Sequence, residues 1–64
     1  MRPADINRTK RALDHIDRAM KQMDGIRYEN VSSEEYTLRQ SVNRHLQDTK
    51  WVMEDLVRIG GGTL

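Results

Sequence analysis

His15 and His45 are the side chains best suited to chemistry near neutral pH, because an imidazole changes charge there and also ligates metals. A working site needs further ligands or bases projecting to the same point. His45-x-x-Asp48 could put two metal ligands on one face of a helix, but two ligands do not close a metal site. The two histidines fall on different helices and different faces. The sequence holds no Glu-x-x-His run and no metalloprotease helix spacing. Lone serines on a surface helix are not nucleophiles. Three of the four glycines stand in a row near the end, Gly60 to Gly62, rather than between a strand and a helix, so there is no phosphate-cradling loop. No catalytic residue, metal or cofactor is expected. His45 is expected instead in a partly buried polar layer with Thr9 and Thr49.

Two other features could recognise rather than react. Arg8, Arg11, His15 and Arg18 recur at three- and four-residue intervals, and Gln22 extends the row. On a helix they form one strip that could track the phosphates of RNA or DNA. The plainer reading is a solvated helix face, since Asp14, Asp17 and Asp24 dilute its field. Trp51 is the second feature. It could anchor a protein interface, where Trp is over-represented, or it could lie flat over Gln47 and Asp55.

Composition bounds the choice. Sixty-four residues form one small domain, with 33% charged and 36% hydrophobic residues, no Phe and one Trp. Such a chain buries little core alone and needs a staple or a partner. With no Cys there is no disulfide and no thiolate zinc site. No apolar run approaches the ~20 residues of a membrane span, and the first residues lack the apolar block of a signal peptide. The expected location is therefore cytoplasmic, away from membranes. A net charge of +1 makes no compositional case for nucleic acid.

Two helices must position these residues. Ser32 as N-cap with Glu35 three residues later forms a capping box, and Val31 with Tyr36 is placed as a hydrophobic staple. From there Leu38, Val42, His45/Leu46, Thr49, Val52/Met53, Leu56 and Ile59 keep a three-four rhythm, and Gly60 supplies the stop. This predicts a helix over 33–59 and a flexible tail over 60–64. An earlier helix, 4–24, carries Ile6, Thr9, Leu13, Ile16, Met20 and Met23 in the same rhythm, flanked by Ala12 and Ala19. Pro3 suits its first turn, and Gly25 is expected left-handed at its end. Acid-first pairs, Asp14–Arg18, Asp17–Lys21, Glu35–Arg39 and Glu54–Arg58, should each support a helix by about 0.2–0.5 kcal/mol. Residues 25–31 connect the two.

The expected fold is all-α, an antiparallel two-helix hairpin. If facing residue numbers sum to about 58, Thr9 meets Thr49 in a shared polar layer that fixes register. The second helix then overhangs the first, leaving Leu56, Val57 and Ile59 uncovered. The apolar stripes are also wider than a two-stranded seam needs. Trp51, Met53, Leu56, Val57 and Ile59 are therefore the expected partner-binding residues, and homodimerisation into a four-helix bundle the expected completion. Met20, Met23 and Met53 read as core at these positions.

In form the chain resembles the Rop family of plasmid RNA-binding regulators, on the strength of its length, its two heptad helices and the Arg8–Arg18 strip. That resemblance implies a dimeric four-helix bundle that binds paired RNA hairpins along one helical face. It resembles equally the small hairpin co-chaperones of bacterial secretion systems, which bury a partner's helix. The leading expectation is a non-catalytic protein–protein interaction module, an adaptor, inhibitor or co-chaperone, that pairs with itself and with a protein partner. The alternative is a Rop-like regulator binding RNA or DNA through Arg8, Arg11, His15 and Arg18.

Overall fold

The computed structural model describes residues 1–62. Thr63 and Leu64, the end of the expected flexible tail, lie outside the described residues. Two helices, α1 (Pro3–Asp24) and α2 (Ser33–Ile59), are joined by a connector that contains one 3₁₀ turn, Tyr28–Asn30. They pack against each other as a hairpin, and no strand occurs among the described residues. The result is a rod with extents of 45 × 15 × 13 Å.

Local chemistry explains the ends. Ser32 adopts an extended conformation, and its hydroxyl accepts from the Glu35 amide at 3.2 Å. The Glu35 carboxylate returns to the Ser32 hydroxyl at 3.1 Å, not to its amide, so the capping box closes through side chains. The start of α1 is weaker. Arg2 caps it without a side-chain cap bond, Pro3 removes one orphan donor, and Arg2 Nε donates to Asp5 at 3.0 Å.

The C-termini depart from expectation. Gly25 is right-handed, with φ −78°, not left-handed. The chain leaves α1 through a bond from the Ile26 amide to the Met23 carbonyl at 3.2 Å, which needs no positive φ. The left-handed residue is Gly61, at φ +97°. Its amide donates to Arg58 at 3.3 Å and the Gly62 amide to Val57 at 2.9 Å, the paired bonds of a Schellman cap. Gly60 to Gly62 thus complete the end of α2 rather than begin a loose tail.

Of the acid-first pairs, Asp14–Arg18 forms at 2.8 Å. Asp17 reaches across to Lys50 at 2.8 Å. Arg39 turns inward to the Met23 carbonyl, Glu35 serves the cap, and Arg58 pairs with Asp55.

The register differs as well. Met23 sits beside Arg39, Asp17 beside Lys50 and Met1 beside Gly60, so facing numbers sum to 61 or more instead of about 58. Thr9 therefore does not meet Thr49. Its hydroxyl donates to the Asp5 carbonyl at 2.9 Å, and Thr49 and His45 are exposed. The expected polar layer inside the hairpin is absent.

Helix α2 has also turned. The residues on the α1 side are Arg39, Leu46, Lys50, Met53 and Val57: Leu46 and Met53 belong to the expected stripe, while Arg39, Lys50 and Val57 each stand one position after a member of it. One position is about 100° of rotation. Among the described residues the buried apolar set is Leu13 and Val57, with Ile6, Ile16, Met20, Met23, Leu46 and Met53 half-buried around them. Gly62 packs so closely on Ile6 and Val57 that a Cβ there would come within 2.8 Å of both.

Candidate functional site

The rotation of α2 exposes its heptad stripe. Leu38 is 60% exposed, Val52 67% and Ile59 83%, with Val42 and Leu56 between them in the same line. His45 and Thr49 complete it. The spacing is four, three, four, three, four, three, so the line runs nearly parallel to the helix axis. Single exposed apolar residues need no explanation, but a continuous row of them on one helix does.

Helix α1 contributes to the same side. In α2 the open residues each precede a residue that faces α1; in α1, Ala12 and Ala19 precede Leu13 and Met20 in the same way. Because the helices run in opposite directions, a step back along each swings to one common flank of the hairpin. Ala12, Ile16 and Ala19, all half-buried, border that flank.

The five expected partner-binding residues separate. Leu56 and Ile59 belong to the open stripe. Val57 is 0% exposed and forms part of the hairpin's own core, so it leaves the set. The overhang that was expected to uncover it is closed by the register shift, by Gly62 and by Met1, whose side chain lies over Gly60. Met53 is half-buried on the α1 side. Trp51 is 60% exposed but lies about 140° round α2 from the stripe, so it is a separate feature. Leu38, Val42 and Val52 join the surface, although the sequence placed them inside. Their spacing was legible, but the partner it served was not.

Arg8, Arg11, His15 and Arg18 are all exposed on α1, opposite the buried Leu13. Arg18 is tied to Asp14. The strip and the apolar flank do not overlap.

The charged centre of the hairpin is Lys50 with Asp17. The hydrogen bond to Asp17 and the negative charge it carries hold the Lys50 ammonium above its usual range, against a small opposing effect of desolvation. The pair joins the two helices. Among the described residues no group of three or more His, Cys, Asp or Glu could hold a metal ion. Among the described residues no helix is long and apolar enough to cross a membrane. No family model, curated protein or solved structure matches the chain.

Proposed function

We propose that this chain is a non-catalytic protein–protein interaction module, an adaptor, inhibitor or co-chaperone of the cytoplasm, which offers helical faces and completes its own core by homodimerisation into a four-helix bundle. The observation that carries this reading is the open stripe Leu38–Val42–Val52–Leu56–Ile59 on a chain with only two buried apolar residues among those described, Leu13 and Val57. Burying one Leu, Ile or Val side chain is worth about 1.5–3 kcal/mol. Several of them left in water are a large driving force for association in a chain this small. Trp51 stands clear of that stripe and supplies an anchor for a different protein partner.

Sedimentation equilibrium at micromolar concentration tests the reading. The expected result is a dimer whose mass does not change with salt, because apolar helix contacts are not screened. A helical monomer with a sharp melt would remove its basis. Trp51 reports on the second surface. Its emission is that of a water-exposed ring in the free dimer and moves to shorter wavelength when the partner docks.

A second reading is favoured by one observation, the exposure of Arg8, Arg11 and His15 on a face that self-association leaves free. On that reading the dimer is a Rop-like binder of RNA or DNA. Binding to paired RNA hairpins or duplex DNA would weaken steeply with salt, and the Arg8/Arg11/Arg18→Ala variant would fold but lose it. No binding at low salt ends this reading.

A further inference from the structure

We infer that α2 pairs antiparallel with α2 of a second copy, in a register where His45 of each chain meets Thr49 of the other. The inference rests on the self-association proposed above and specifies its geometry.

The argument is the order of residues along the stripe. If one α2 is reversed so that facing numbers sum to about 94, four-residue steps lie against four-residue steps and three against three. Leu38 then meets Leu56 of the second copy, Val42 meets Val52, and His45 meets Thr49. From Leu38 to Leu56 every layer pairs like with like; Ile59 lies beyond this seam, level with Glu35 of the second copy, and takes no part in it. Sliding by one heptad, in either direction, sets His45 and Thr49 against Leu, Val or Ile. That leaves imidazole and hydroxyl groups facing hydrocarbon, which costs more than a mismatched apolar pair. The two polar residues thus fix a register between chains, which they do not do within the hairpin.

The alternative seat, α2 on α1 of the second copy, is worse by the same test. At the register of the hairpin's central contact, Asp17 with Lys50, it sets Thr49 near Arg18 and Val52 near His15, a charged or polar side chain against the stripe in each. In the α2–α2 arrangement the two-fold axis crosses α2 at Gln47, level with the middle of α1. Ile16 then approaches Ile16 of the second copy, with Ala12 near Ala19, small enough to admit close approach. None of the six seam residues carries a formal charge when His45 is neutral, so nothing in the seam repels a second copy. From Leu38 to Leu56 the seam runs about 27 Å, on a hairpin 15 Å wide. Before side-chain relief is counted, that footprint is already about half of the ~800 Å² that each partner buries in a standard interface.

Cysteine cross-linking tests the pairing directly, because the chain has no Cys of its own. Val42→Cys and Val52→Cys are made separately, checked for helicity, mixed, and equilibrated in a glutathione redox buffer. Both sites are exposed in the hairpin, so its folding is little disturbed. The expected product is the mixed disulfide between positions 42 and 52, in excess of either homodisulfide by about tenfold through effective concentration. In the inferred register two copies of position 42 stand about 15 Å apart along the seam, beyond the ~6.8 Å that a disulfide spans. A dominant homodisulfide at 42 would overturn the antiparallel seam. So would a dimer in which Val52→Cys cross-links to His15→Cys of the other chain, or one in which no 42–52 product forms. Those results leave the interaction module standing. A wild-type monomer throughout the micromolar range would remove both.

Discussion

The guanidinium of Arg39, near the start of α2, lies over the carbonyl of Met23, near the end of α1, donating to it from Nε at 3.4 Å and from Nη2 at 3.3 Å. The carbonyls of a helix's last turn have no partner in their own helix, and a cation there also meets the negative end of the helix dipole. One buried side chain, 8% exposed, thus caps α1 and holds α2 in register at the connector end.

Arg39→Ala should destabilise the chain by about 1 kcal/mol, since the Met23 carbonyl loses its charged donor but keeps the Ile26 amide. Arg39→Lys should recover only part of this, because a single ammonium cannot donate from two fixed nitrogens. Urea unfolding at fixed protein concentration measures both. A neutral Arg39→Ala would show that the contact sets no register.

Lys50 gives a pH signature. Its folded-state value is raised by the hydrogen bond and charge of Asp17. Its contribution is therefore complete below the unfolded value of about 10.4 and is lost as pH rises through the folded value. The melting temperature should fall more steeply above that point for the parent chain than for Lys50→Met. Parallel curves through the alkaline range would count against the bridge.

Three glycines separate cleanly. Gly61 is at φ +97°, so Gly61→Ala should cost about 1 kcal/mol. Gly62→Ala should cost as much or more for a different reason, because the new methyl group must displace Ile6 and Val57. Gly25→Ala should be tolerated, or stabilise by up to about 1 kcal/mol, because its φ of −78° suits any residue. A Gly25→Ala variant as unstable as Gly61→Ala would contradict the right-handed exit of α1.

Val57 and Ile59 differ by two positions and should differ in kind. Val57→Ala empties wholly buried space and should cost about 2 kcal/mol, with weakened folding at every concentration. Ile59→Ala should change the stability of the hairpin by no more than about 0.5 kcal/mol, as its side chain is 83% exposed. Denaturation curves across a dilution series separate the two.

Much of the local structure was legible in the sequence. Ser32 and Glu35 announced the start of α2, the three-four rhythm predicted two helices that pack as a hairpin, and Asp14 with Arg18 formed as read. These are short-range effects, set within one or two turns by capping, periodicity and neighbouring charge. Which glycine is left-handed was less legible, because Gly25 and Gly61 follow similar helix ends and differ in where the chain must go next.

The orientation of α2 was decided only in three dimensions. Its apolar residues cover a band wide enough for two partners, and periodicity locates a band without saying which edge meets which neighbour. Arg39 reads in sequence as the partner of Glu35, one turn before it on the same helix. In the fold Arg39 meets the Met23 carbonyl and Lys50 the Asp17 carboxylate, both on a helix many residues away. With both contacts made, Val57 lies inside, and Leu38, Val42 and Val52 lie at the surface beside Leu56.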